Sequence, residues 1–334
     1  MAGVIFSESS GLNDPLYGKY IHPINKLIRD GAAYNEQRSL LPVLFNIESS
    51  EHYGESVQST TGMGSFKPKA EGGAAPITDM QSGYGKSFTH KEFVNSFFIT
   101  RPMAMDCNVI NLKQRPREFV NSYYETREIF GINLLTGAKA STVTFEGETF
   151  DTTCADGQPL FAASHPSKTG NTSSQCNIFS DAFSNTNLAL AAAAMQNVKN
   201  DNGNVRAVTP DTIIIPNDGA LKMAVIASIN AKQDPETANN GYNINFGLWN
   251  LIILPQWDIT GLSTKPWIIM SGEYNKSAIG SVWYDREMLN IISEVDTDTR
   301  NLKYNGYARW SAGFVNWRPF MLCGADGAAN SLAS

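Results

Sequence analysis

Charge is the scarcest ingredient of this 334-residue chain: Asp, Glu, Lys and Arg together make up 17% of it, against roughly 25% in an ordinary soluble domain. Greasiness has not replaced it, since the hydrophobic fraction is 42% and the mean hydropathy is -0.24. Gly, Ser, Thr and Asn take up the difference. A surface poor in Lys, Glu and Asp is what a subunit covered by neighbours shows, because interfaces are depleted in those residues; a stable β-rich monomer shows it too. Basic excess is also missing. The formal net charge of -6 leaves no electrostatic footprint for gripping nucleic acid.

Long apolar runs are absent as well. None approaches the ~18 residues of a membrane span, and the candidates Leu248 to Leu254 and Thr212 to Ile215 are of strand length. The start, Met1-Ala2-Gly3-Val4-Ile5-Phe6, has neither the basic residues nor the apolar stretch of a signal peptide, and Gly3 is misplaced for myristoylation. Cys107, Cys154, Cys176 and Cys323 form no CxxC, which points to free thiols in a reducing compartment.

Catalytic signatures are equally sparse. No GxSxG elbow occurs, and His22, His52, His90 and His165 all fall in loop or hairpin contexts. Cys154 and His165 are close in sequence, but catalytic pairs are set by spatial geometry. Gly85-Lys86-Ser87 resembles the end of a phosphate loop without its first glycine, strand or helix. Asp296-Thr297-Asp298 resembles the start of a calcium loop without the glycine and terminal glutamate. Asn171-Thr172-Ser173 is a glycosylation sequon, without meaning in a cytoplasmic chain. The expectation is no enzyme, no cofactor and no metal.

What is present is a sequence of structural parts. Residues 1–50 hold short apolar pieces between Pro15, Pro23, Gly31 and Pro42, with one or two helical turns expected over Asn25 to Ala33. From 54 to 92 glycines recur among sparse bulky residues, too few to bury a core. Alternation improves from Lys86 through Phe88, His90 and Phe93, as in the returning strand of a long hairpin that borrows a neighbour's surface. Phe119, Tyr123, Thr126, Phe130 and Leu134 recur on one face of a helix expected over 115–137, with Pro116 in its first turn, Gly131 weakening it and Gly137 ending it. A strand is expected over Thr142 to Phe150, then a turn-rich stretch from Asp156 to Pro166. An α/β unit follows: a helix over Leu188 to Asn200 capped by Asn187 or Thr186, the strand Thr212 to Ile215, a helix capped by Asn217 or Asp218, and a strand over Leu248 to Leu254. Strands over Trp267 to Met270, Ala278 to Trp283, Ile291 to Val295 and Tyr304 to Phe314 close the chain, with a last apolar step at Phe320 to Leu322.

This order resembles the major capsid proteins of tailed bacteriophages, with the Hong Kong 97-type fold, and among them the group with a Mu-like head protein. The turn Gly157-Gln158-Pro159-Leu160-Phe161-Ala162-Ala163-Ser164-His165-Pro166 carries the resemblance, with the stretch from Asn187 to Ile229. The resemblance implies an α+β subunit with an N-terminal arm (1–50), an extended β-hairpin loop (51–93), a peripheral domain (94–166 and 263–334) built on the long spine helix, and an α/β axial domain (167–262). It implies self-assembly into hexamers and pentamers of an icosahedral virion shell, built in the host cytoplasm around double-stranded DNA that is held without sequence preference. The mild negative charge suits such a container. Portal and possible decoration proteins would be partners. The arm shows no heptad helix of the kind some relatives cleave, so a separate scaffolding protein is expected. Inter-subunit contacts are expected at Phe66, Lys67, Lys69, Glu71, Lys86 and Lys91 of the hairpin. The rival readings are an encapsulin-like nanocompartment shell, a tail or baseplate protein, and a hydrolase using Cys154 or His165.

Overall fold

A computed structural model describes residues 4–9, 14–61, 66–69, 71–74, 81–106, 109–170, 172–236 and 241–324. The expectations for Cys107, for Asn171 and for the hairpin's Met63, Ile77 and Met80 lie outside the described residues. In chain order the elements are β1 (Ile5–Ser9), α1 (Gly18–Glu36), α2 (Leu41–Leu44), β2 (Asn46–Ser49), β3 (Gly54–Thr60), β4 (Ser82–Thr89), β5 (Lys91–Ile99), α3 (Arg101–Met105), α4 (Val109–Thr136), β6 (Thr142–Phe145) and β7 (Glu148–Asp151). Then follow β8 (Ile178–Phe179), α5 (Asn185–Gln196), β9 (Thr212–Pro216), α6 (Gly219–Asn230), β10 (Asn250–Leu254), β11 (Trp267–Met270), α7 (Gly272–Ser277), β12 (Ser281–Val295), β13 (Leu302–Phe314) and β14 (Phe320–Cys323). The chain divides into two units: 1–55, 88–131 and 283–312 form the first, and 56–87, 132–282 and 313–334 the second.

The first unit is organised by a sheet of order β1-β12-β13-β5, with β2 also pairing β12. β1 runs parallel to β12, and β13 is antiparallel to β5 over a register from Leu302↔Ile99 to Trp310↔Lys91. Against it pack α1 and α4. The expected short turn near residue 25 is a 19-residue helix, and Pro23 sits inside it. Tyr17, Ile21, Ile24, Ile28 and Ala32, spaced by four, three, four and four, all face the core. Burying one such large side chain is worth about 1.5–3 kcal/mol, so the set outweighs the ~3 kcal/mol cost of an interior proline. α4 likewise starts at Val109, not at residue 115, and Pro116 lies within it rather than in its first turn. It ends at Thr136, before Gly137, as expected. Gly131 is there for space: a Cβ would sit 2.4 Å from Leu41 Cδ2, so its absence lets α2 lie against α4.

At the centre of this unit the Arg127 guanidinium meets the Asp285 carboxylate through two contacts, Nη1–Oδ1 at 2.8 Å and Nη2–Oδ2 at 3.0 Å. Trp283 Nε1 donates to the same carboxylate at 2.9 Å, and Arg127 lies over the rings of Trp283 and Trp310. Burial works against the arginine's charge; Tyr123 and Asp285 outweigh it and hold the proton more tightly than usual. Phe93 stacks flat on Trp310 with centroids 3.7 Å apart.

The second unit carries a five-stranded sheet of order β10-β9-β11-β14-β8. β9 pairs parallel with β10 and antiparallel with β11. Its residues are buried throughout, as a short continuous apolar strand demands. Leu188, Ala191 and Met195 of α5 and Leu221, Val225 and Ile229 of α6 complete the core over Ile213, Ile215 and Trp267. Asp218 caps α6 by accepting from Leu221 N at 2.9 Å. The cap of α5 is Ser184, three residues ahead of Asn187, whose N–H it accepts at 3.0 Å; neither Thr186 nor Asn187 caps it, and the helix stops at Gln196. The single strand expected from Thr142 to Phe150 is a hairpin, β6 turning into β7 at Glu146-Gly147, both with positive φ. β10 starts two residues later than Leu248. The two strands expected between Ala278 and Val295 are one 15-residue strand, β12, preceded by α7.

Candidate assembly surfaces

The glycine-rich segment does form a hairpin: β3 and β4 make a two-stranded sheet separate from the other sheets. The returning strand begins at Ser82, four residues before the alternation becomes readable at Lys86. Gly83 has no room for a side chain, since a Cβ would lie 2.8 Å from the Ser59 carbonyl oxygen. Between the strands, Phe66, Lys67, Lys69 and Glu71 are all exposed, and Phe66 shows its entire ring to solvent (105%). Covering the apolar area of so exposed a phenylalanine is favourable.

Lys86 is placed differently from the other candidates. Its ammonium lies 3.1 Å from Asp151 Oδ2, donates to the Thr153 carbonyl oxygen, and leaves only 8% of the side chain exposed. Burial works against the Asp151 charge, but two hydrogen bonds from Thr153 and the Lys86 ammonium outweigh it and hold this carboxyl below its ordinary range. Lys86 thus fastens β4 to β7 within the second unit, and its strand setting has nothing of a phosphate loop. Lys91 opens β5 and is exposed.

At the foot of the hairpin, His90 is the single residue between β4 and β5. Its buried ring lies 3.0 Å from Ser50 Oγ through Nε2 and 3.0 Å from Ser311 Oγ through Nδ1. Spacing alone did not single it out; only the pairing of β13 with β5 brings Ser311 to it.

A second exposed surface, missed in the sequence, lies on the second unit. Asn243 and Asn245 are buried: Asn243 donates to the Ser228 and Ala231 carbonyls at the end of α6 (2.5 and 2.8 Å), and Asn245 donates to Asn185. Pinned at these alternate positions, the loop holds Tyr242 (78% exposed) and Ile244 (61%) outward, with Leu248 beyond them and Met223 exposed on α6. The signal was present as the alternation Tyr-Asn-Ile-Asn, read only as an Asn/Gly loop.

The turn around His165 is interior. Gly157 takes a positive φ, Leu160 and Phe161 are buried, and His165 lies between Asp156 (2.7 Å) and Asn177 (3.2 Å), stacked on Trp317. Cys154 is buried, and burial pushes its thiol well up, away from the thiolate a nucleophile needs. Cys176 and Cys323 are also buried and free. Asp296 accepts from Asp298 N and Thr299 Oγ1, a closed turn between β12 and β13. Among the described residues no cluster of three or more His, Cys, Asp or Glu is arranged to hold a metal ion, and no helix is long and apolar enough to cross a membrane.

A family model described as phage capsid protein matches residues 84–320. No curated protein matches the chain. Among solved structures, the chain is similar to one from Mycobacterium phage Patience at 10% identity, covering 98% of this chain and 94% of that one, with a TM-score of 0.54. It is similar to the capsid of the cyanophage P-SCSP1u at 12% identity over 88% and 89%, TM-score 0.52. A third likeness is to the procapsid of bacteriophage JBD30 at 14% identity over 96% and 78%, TM-score 0.50. At these identities the likeness concerns the fold, which is of the Hong Kong 97 type.

Proposed function

Because this chain belongs to the phage capsid protein family, we propose how its surfaces divide the work of building a shell. It is a major capsid protein of a tailed phage, its place is the virion, and copies of it assemble into a closed icosahedral container for double-stranded DNA. The observation that carries this reading is the family match across residues 84–320, which runs from most of β4 through β5, α4 and the α/β unit to β13.

Within the shell the extended loop (51–93) reaches an adjoining subunit and covers Phe66 there, with Lys67, Lys69 and Glu71 setting its register. The spent ammonium of Lys86 positions the strand rather than meeting the neighbour. Residues 167–262 form the axial domain, and Tyr242, Ile244, Leu248 and Met223 find cover on the next copy around the symmetry axis of a hexamer or pentamer. Residues 1–50 act as the arm, and 94–166 with 263–334 as the peripheral domain. The chain stands near the Mu-like group, is built into shells in the host cytoplasm on a separate scaffolding protein, and works with portal and decoration proteins. Electron microscopy of the purified protein, with and without coexpressed scaffold, tests this: closed shells support it, while tubes, open rings only, or a strict monomer overturn it.

A further inference from the structure

β5 stands at the end of its sheet: among the described strands it pairs only with β13. Two local bonds show which backbone groups its open edge carries. The Ser96 N–H donates to the side chain of its neighbour Asn95 at 2.8 Å, and the Phe98 carbonyl accepts from Arg115 Nη1 at 2.7 Å. Neither group therefore points at β13, and by the alternation of an antiparallel pair the backbone of Val94, Ser96 and Phe98 turns outward. Both partners are side chains, which a backbone can displace. Beside this edge, between β5 and α4, runs a groove of about 370 Å³ whose lining includes Phe97, Arg115, Glu118, Phe119 and Ser122. On the other face of the strand Val94 (72%) and Phe98 (50%) are exposed.

We infer that this edge and groove receive residues 66–69 of a second copy as an added strand antiparallel to β5, an inference that rests on the hairpin reaching a neighbour. Three features of Phe66-Lys67-Pro68-Lys69 fit the site. The wholly exposed Phe66 ring meets an aromatic wall in Phe97 and Phe119, whose centroids lie 5.0 Å apart. Side chains alternate along a strand, so Phe66 and Pro68 face the groove while Lys67 and Lys69 lie on the other face. There their aliphatic stems cover Val94 and Phe98 with the ammonium groups left in water. Backbone groups alternate as well. In the antiparallel direction Lys67 and Lys69 turn theirs to β5, and the nitrogen of Pro68, which has no hydrogen to give, faces outward, as proline in an edge strand must. The contact joins different surfaces of two copies, which is the kind that closes rings.

Phe66→benzoylphenylalanine, a photo-crosslinking side chain, tests this in particles assembled from a mixture of isotope-labelled and unlabelled copies. After illumination, mixed-isotope crosslinks from position 66 are expected to fall within residues 95–98 and 115–122. Ser122→Trp, which fills the groove, is expected to lower their yield several-fold while the isolated subunit unfolds at the wild-type temperature. If that variant does not fold, Ser96→Pro serves instead, since it removes an outward N–H and no bond to β13. Closed shells whose crosslinks map elsewhere on the neighbour, stay within one chain, or ignore the groove variant overturn the docking and leave the capsid reading standing. A strict monomer without mixed-isotope crosslinks overturns both.

Discussion

Arg127 and Asp285 leave water together, and each is affordable only because of the other. Removing one partner of a buried pair strands a charge, at about 3–5 kcal/mol, whereas replacing both with apolar groups of similar volume is often close to neutral. Arg127→Met is accordingly expected to lower the unfolding free energy in urea by about that amount, and Arg127→Met with Asp285→Leu to restore much of it. A double mutant no more stable than the single one refutes the pairing argument. At His90 the sign runs the other way from an ordinary ion pair. The folded ring binds its proton less readily than the free side chain, whose reference value is 6.5. Its contribution to stability is complete above that value and is lost as the pH falls through it. Urea midpoints measured across this range are expected to drop for the wild type and to stay level for His90→Gln.

At the scale of elements, Gly131 makes α4 and α2 compatible. Alanine there is the better helix former by about 1 kcal/mol, yet its methyl group would meet buried Leu41 and Phe45. Overpacking of this kind costs about 1–3 kcal/mol, so Gly131→Ala is expected to lower the melting temperature despite its helix propensity. The same contest explains what was legible in the sequence. The α/β unit was readable because β9 carries the apolar run Ile213-Ile214-Ile215 and Asp218 caps α6 by a local rule. The N-terminal helix was not, because Pro23 and Gly31 are local breakers, while the force that overrides them is burial of Tyr17, Ile21, Ile24 and Ile28 against residues far along the chain. β12 was split into two strands because a long strand changes its burial pattern midway, from continuous to alternating. Of the hairpin candidates, Lys86 could not be sorted from Lys67 and Lys69 by composition, since its partners Asp151 and Thr153 are about 65 residues away in sequence.

For the molecule as a whole, folding and assembly are expected to be separable. Phe66→Ala leaves no cavity, because the ring touches solvent throughout. The variant is expected to unfold at the wild-type temperature and yet fail to yield closed particles under the electron microscope. Lys86→Ala is expected to do the reverse in part, loosening β4 in the isolated subunit before any contact with a neighbour is made. A Phe66→Ala variant that assembles like wild type removes the hairpin tip from the interface.

The pairing of β5 with β13 joins residues about 210 positions apart. At the ~5–20 residues per second of a translating ribosome, roughly 10–40 s separate the synthesis of the two strands. Until β13 emerges, Lys91 to Ile99 lacks its hydrogen-bonding partner and His90 lacks Ser311. A nascent chain therefore carries an unfinished joint at this sheet until β13 has been made.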